Sequence, residues 1–419
     1  MHDRQSVIAQ YHNIRCRTLA LVAHLSGEDM QAQSMPDASP IKWHLAHTSW
    51  FFETFVLREY QADYTLFNPV FPILFNSYYE SAGKRHARPQ RGLLTRPTID
   101  EVMAYREAVD ASIAAFLDRD YGPSAQERIV VGLHHEMQHQ ELILTDILHA
   151  FSHNPLHPAV FSRSIQSDNG ESAALTMVPQ TGGLHSSGSS EAGFAYDCER
   201  PEHKVYLPDY HLGSRLVTNG EWLEFMRDGA YRDPLLWLSD GWACCQNLGW
   251  EAPLYWEQKE QGAWSQFGLD GMQPVDPAAP VCHISYYEAE AFARWAGKRL
   301  PTEHELEHSV QGQAICGNFA EQEQWRPRPA AITTEGGAIQ QLYGDVWEWT
   351  QSSFSPYPGF KAALGALGEY NGKFMVNQFV LRGGSCATPQ AQMRASYRNF
   401  FYPHQRWQFS GMRVAADAG

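Results

Sequence analysis

The sequence is short of positive charge. Its 32 Lys and Arg stand against 47 Asp and Glu, for a formal net charge of −15. Polyanions and anionic bilayers are held through excess positive charge, so neither nucleic acid nor a membrane surface is an expected partner. No apolar run approaches the ~20 residues that span a bilayer, and the opening M-H-D-R-Q-S-V-I-A-Q-Y-H has no apolar secretory core. The seven cysteines, an odd number, contain no C-x-x-C pair. That argues against both a zinc–thiolate site and a disulfide framework. These absences predict a cytoplasmic protein and indicate no particular protein partner. What the chain does have is aromatic side chains, 13% of it with 13 Trp, a composition suited to aromatic-lined sites. At 419 residues it is too long for one ordinary core and suits two domains.

The chemistry starts at residues 133–146, L-H-H-E-M-Q-H-Q-E-L-I-L-T-D. His135 and His139 are four apart, which on a helix sets them one turn apart on one face, able to share a metal ion. Gln138 borders that face. Flanking Ile129, Val130, Val131, Leu133, Leu142, Ile143, Leu144, Ile147 and Leu148 predict a helix buried in a bundle. Upstream, W-H-L-A-H-T-S-W-F-F-E-T-F offers His44 and His47 as candidates for a third ligand. Three neutral imidazoles without a carboxylate suit Fe(II) or Zn(II) and leave positions open. The same residues spell H-E-x-x-H, the zinc-hydrolase signature with Glu136 as general base. However, Leu142 and Thr145 stand where the extended signature has Gly and His.

Around this centre the first third of the chain reads as four helices. These are residues 4–25, 41–60, one opened by a Thr98/Glu101 capping box, and one carrying His135 and ending near Phe151. Four such helices describe a bundle with metal ligands projecting inward. The expected domains are 1–153, a linker at 154–173, and 174–419. The last is an α+β domain with strand-like runs at 204–207, 281–284, 379–382 and 412–415. It also carries capping boxes at Thr218/Glu221, Ser285/Glu288 and Thr302/Glu305. Residues 181–193 read as a flexible loop.

Further candidate side chains follow. Tyr78 and Tyr79 could donate a proton to a reduced oxygen species, although buried Tyr more often packs with its hydroxyl satisfied. Arg85, Arg88 and Arg91 could hold a substrate carboxylate, although exposed arginines are mostly solvated. Residues 394–413 gather six aromatics, four arginines and Asn399, enough for core packing or for a cage around a quaternary ammonium group.

Taken with N-S-Y-Y-E-S-A-G, R-G-L-L-T-R-P-T, V-T-N-G-E-W, L-P-T-E-H-E, G-E-Y-N-G-K-F-M, L-R-G-G-S and Y-R-N-F-F, these stretches resemble the ergothioneine-pathway sulfoxide synthases. The resemblance covers nearly the whole chain and extends to the closely related selenoneine synthases. It implies a DinB-like four-helix bundle followed by a formylglycine-generating-enzyme-like (C-type-lectin-like) domain that completes the substrate pocket. It also implies Fe(II) on His47, His135 and His139, with O2 as co-substrate. A C–S or C–Se bond would form at the imidazole carbon of hercynine, from a thiol or a selenosugar donor. Gln138 would contact the imidazole, Asn399, Phe400, Phe401 and Arg398 the rest of the substrate, and Arg85 and Arg88 the donor. Tyr78 or Tyr79 would be the catalytic phenol. Phe400 and Phe401 stand where one branch has Trp and Asp, which argues for a donor other than γ-glutamylcysteine. Cys198, Tyr402 and His404 also depart from the sulfur-using pattern, so sulfur and selenium both stay open. The paired cysteines of formylglycine-generating enzymes are not matched, since Cys386 has no partner nearby, and that activity is not expected. A zinc hydrolase and a non-catalytic binding protein are the readings outside the family.

Overall fold

A computed structural model describes residues 4–161, 171–190, 193–259, 262–332 and 338–419. The chain divides into two compact units. One is Met1–Val160 with Ala363–Tyr370, and the other is Phe161–Ala362 with Asn371–Gly419. Among the described residues no helix is long and apolar enough to cross a membrane.

The first unit is built on four long helices, α1 (Arg4–Val22), α2 (Ile41–Phe52), α3 (Ile99–Leu117) and α4 (Pro123–Ser152). The predicted capping box opens α3, with Glu101 N–H donating to Thr98 Oγ1 at 3.2 Å and Thr98 N–H to Glu101 Oε2 at 2.7 Å. Every residue of α2 is buried, so it is the central helix. It runs on through a π turn, Glu53–Leu57, where buried Glu53 accepts from the hydroxyls of Tyr64 and Tyr105. One glycine sets how closely α2 and α4 approach. A Cβ at Gly132 would lie 2.5 Å from Cε1 of Phe52, nearer than any side chain tolerates.

The second unit is sheet-rich. Strands β1 (Met177–Gln180), β4 (Tyr210–Gly213) and β12 (Ala415–Asp417) form an antiparallel sheet in the order β1-β4-β12. Another antiparallel sheet, in the order β5-β6-β7, joins β5 (Trp256–Gln258), β6 (Trp264–Gly268) and β7 (Gly271–Pro274). The largest, in the order β10-β9-β8-β11, joins β10 (Asn399–Phe401), β9 (Phe379–Arg382), β8 (Trp347–Ser353) and β11 (Ser410–Gly411). All three predicted capping boxes are present, opening helices Asn219–Arg227, Tyr286–Trp295 and Glu303–Ser309. Two strand expectations shift. Residues 281–284 are buried but hydrogen-bonded singly to Val217 and Ser410 rather than in a ladder. The C-terminal strand begins at Ala415 instead of 412. Part of the expected loop at 181–193 is a strand, β2 (Gly183–Ser187), paired with β3 (His203–Leu207). Its Gly and Ser content masked the pairing. Residues 162–170 of the expected linker lie outside the described residues.

Candidate functional site

Positions 43, 44, 47, 50 and 51 of α2 fall on the stripe that meets α4, because a helix repeats every 3.6 residues. From α4, His135 and His139 meet that stripe. One ring nitrogen from each of His47, His135 and His139 lies within 4.8 Å of the others, and all three residues are buried. The ring centroids are 4.5–4.9 Å apart.

The environment of each ring sets its proton. His47 Nδ1–H donates to the Phe75 carbonyl at 2.6 Å, which leaves Nε2 as a lone pair, 3.1 Å from His135 Nε2. Two nitrogens that close need a proton or a cation between them. His135 Nδ1 is buried without a hydrogen-bond partner. Burial holds all three imidazoles well below their usual range, aided at His47 and His139 by the neighbouring rings, and His135 is lowered to about 3. The rings are therefore neutral at physiological pH. Three neutral nitrogens converging inside a protein are a donor set for a divalent transition metal, and these residues fit one.

His44, the other candidate from α2, is not in the cluster. It stands behind His139, with Nδ1 2.8 Å from His139 Nδ1 and Nε2 3.0 Å from Asp146 Oδ2. Aromatic rings hold the cluster in place. Trp43 stacks on one face of His47 (4.4 Å, 14°) and Trp50 on the other (5.2 Å, 16°), while Phe51 lies 4.5 Å from His135.

Glu136 corrects the zinc-hydrolase reading. One residue past His135 it points about 100° away around the helix, and it is fully buried. Its Oε2 accepts from Arg15 at 2.9 Å, and its Oε1 from Thr18 at 2.8 Å and Arg106 at 3.1 Å. Burial alone would raise this carboxyl, but the two guanidiniums and their hydrogen bonds more than offset that and hold it down at about 2. A carboxylate tied this way cannot serve as general base toward the histidines.

Tyr79 is buried against Trp50 and Phe55, and half-buried Tyr78 stacks on it at 4.6 Å. Sequence reasoning missed a third phenol. Tyr370 belongs to the first unit although it lies far along the chain. Its hydroxyl donates to Gln138 Oε1, and its ring stands edge-on to His135 at 5.9 Å and to Tyr78 at 6.4 Å. Next to it, the Glu369 carboxylate accepts from the backbone N–H groups of Glu80 (3.0 Å) and Ser81 (2.9 Å), which ties the segment to the tyrosine loop. The motif G-E-Y held the signal; its place beside the histidines was not legible from spacing.

The arginines divide. Arg85 is exposed and paired with Glu80, and Arg88 is exposed and donates to the Asp37 carbonyl. Arg91 is buried, its guanidinium 3.4 Å from the centroid of Trp43 and donating to Ser39 and Ser77. In the second unit Arg398 departs from its expected substrate role. It is buried and donates to both oxygens of Glu303 and to the carbonyls of Cys198 and Ser355, so its charge is spent internally. Beside it in sequence, Asn399 accepts from the Phe400 N–H, Phe400 stacks on Phe354 at 4.1 Å, and Phe401 meets Trp407 edge-on.

A buried cluster of three histidines able to hold a metal ion, inside a helical bundle in a chain that continues into a sheet-rich domain, defines the class as a two-domain protein of bundle and sheet. The DinB superfamily matches residues 10–143, and the sulfatase-modifying factor enzyme 1-like domain matches residues 164–336 and 335–418. Hercynine oxygenase from Mycolicibacterium smegmatis is 32% identical over the full length of both chains. The protein of the same name from Mycobacterium tuberculosis is 31% identical over 96% of each. A formylglycine-generating enzyme from Streptomyces coelicolor is 28% identical over 54% of this chain and 84% of its own. The chain belongs to the family of the hercynine oxygenases, the ergothioneine-pathway family that its motifs resemble.

Proposed function

We propose that the protein is a non-haem iron enzyme that uses O2 to form a C–S or C–Se bond at the imidazole carbon of hercynine, in ergothioneine or selenoneine biosynthesis. The observation that carries this reading is the convergence of His47, His135 and His139, with two Nε2 atoms 3.1 Å apart, in a chain alignable end to end with a hercynine oxygenase. Ferrous iron on those three nitrogens would supply redox chemistry toward O2 and affinity for a soft thiolate or selenolate.

The protein's own groups do the remaining work. Gln138, its amide oriented by the Tyr370 hydroxyl, would hydrogen-bond the hercynine imidazole and turn its carbon toward the donor atom. Such positioning is worth several kcal/mol of barrier, on the order of 7–11 when the alignment is complete. The Oη of Tyr78 or Tyr79 would give a proton to oxygen as it is reduced. Arg91, a buried cation that among the described residues hydrogen-bonds to the hydroxyls of Ser39 and Ser77 and to no carboxylate, suits a donor carboxylate better than exposed Arg85 or Arg88. The imidazole C–H and chalcogen–H bonds break and the carbon–chalcogen bond forms. O2 takes up the two hydrogens, either as water with its second oxygen kept on the chalcogen or as hydrogen peroxide.

The test is a donor panel of cysteine, γ-glutamylcysteine, thiosugar and selenosugar, each with hercynine, ferrous iron and O2. Product mass identifies the donor and whether oxygen is retained. O2 consumption with one donor and a matching coupled mass is expected; silence with every donor would leave a binding protein instead.

A further inference from the structure

His47 and His139 are oriented by different means. The Nδ1–H of His47 meets a backbone carbonyl, which can only accept, so its tautomer is fixed outright. His139 Nδ1 instead meets another imidazole, 2.8 Å away at His44 Nδ1. An imidazole nitrogen either donates or accepts, so this contact alone does not decide which ring holds the proton.

Asp146 decides it. Its Oδ2 lies 3.0 Å from His44 Nε2 and accepts the Ser39 N–H at 2.8 Å. A carboxylate accepts and does not donate, so His44 Nε2 carries the hydrogen. The lone pair of neutral His44 is then on Nδ1, so His139 Nδ1 must be the donor between the two rings. That leaves the lone pair of His139 on Nε2, the atom turned away from His44. All three residues are buried, at 2% for His44, 8% for His139 and 4% for Asp146, so these contacts are shielded from bulk water.

We propose that Asp146 and His44 form a two-residue relay that fixes the tautomer of His139 and makes its Nε2 the metal-binding atom. Both are positioning residues and neither is a ligand. Helical spacing built the arrangement. His44 is three residues before His47 on α2, and Asp146 is two turns past His139 on α4, so each stands one layer behind the ligand on its own helix. A metal-bound histidine anchored through its second nitrogen to a carboxylate is a general device. Its loss typically costs metal affinity about 10–100-fold; here the carboxylate acts through an intervening imidazole.

The proposal rests on the metal reading above, and its test separates the two. In metal-free, 15N-histidine-labelled protein, long-range 1H–15N correlation reads each tautomer directly, and His139 is expected to be protonated at Nδ1. Affinity for Fe(II), and for Co(II) as a spectroscopic stand-in, is measured by competition with a chelator. Asp146→Ala and His44→Phe are expected to weaken binding roughly 10–100-fold, measured where the metal-free variants are still folded, since each also leaves a buried hydrogen-bonding group unpaired. Asp146→Asn, whose amide oxygen can still accept from His44, is expected to bind within a few fold of the parent. A His139 protonated at Nε2 in the parent protein would overturn the relay without recourse to any variant. Equal affinity in Asp146→Ala, His44→Phe and the parent would overturn it while sparing the metal reading. A parent protein that takes up neither ion would sink both.

Discussion

Gly132 of α4 and Phe52 of α2 meet with no room for a side chain, since a Cβ on the glycine would come within 2.5 Å of the Phe52 ring and 3.2 Å of Phe51. This contact sets the approach of the two helices that carry the histidines. Phe52 cannot give way easily, because it is fully buried and packs edge-on against Tyr11 at 5.0 Å.

Gly132→Ala is therefore expected to destabilise the protein by about 1–3 kcal/mol through overpacking and to lower metal affinity, as α2 and α4 move apart. Helix propensity alone would give the opposite sign, a gain of about 1 kcal/mol. Urea denaturation of the metal-free protein distinguishes them. A stabilised variant with parental metal affinity would mean that the contact does not set the helix spacing.

Tyr370→Phe removes the hydroxyl that holds the Gln138 amide and leaves the ring against His135. The loss of one neutral hydrogen bond is worth about 1 kcal/mol, so KM for hercynine is expected to rise about fivefold, with kcat and melting temperature little changed. Steady-state kinetics at saturating donor reads this. A selective collapse of kcat would instead show that Tyr370 itself acts on the reacting atoms.

Glu136→Gln should be costly, because it takes the carboxylate from buried Arg106 and leaves buried Arg15 with Asp110 alone as its anion. Breaking a buried pair in this way costs about 3–5 kcal/mol. The parent protein should show the linked pH effect. The Glu136 carboxyl falls from 4.5 in the unfolded chain to about 2 in the fold, so the unfolded state binds the proton first as pH drops. Its contribution is complete above pH 4.5 and is lost between there and about 2. Denaturation curves across pH 2–6 should show this acid slope, flattened in Glu136→Gln. A variant as stable as the parent would remove Glu136 from the core's electrostatics.

Metal removal should loosen the first unit. At a hundredfold excess over Kd a bound ion adds about 2.7 kcal/mol of stability, so chelation should lower the melting temperature by several degrees and readdition of Fe(II) restore it. His47→Ala should abolish the response. An unchanged response in that variant would place the ion elsewhere.

The sequence by itself determined the local structure. Capping boxes at Thr98, Thr218, Ser285 and Thr302 were legible because a cap needs only a hydroxyl and a carboxylate three residues on. The i, i+4 pair of His135 and His139 was legible because it follows from helical pitch. The family motifs also named both domains. Spacing could not tell His44 from His47, since both lie on the buried stripe of α2 and only the position of α4 decides which ring reaches the cluster and which turns to Asp146. Nor could it show that Glu136, inside a hydrolase signature, is taken by Arg15 and Arg106, or that Tyr370 reaches Gln138 from over two hundred residues away. Hydrogen bonds and ion pairs depend on where atoms lie in space, and residues distant along the chain acquire that closeness only when helices and loops pack.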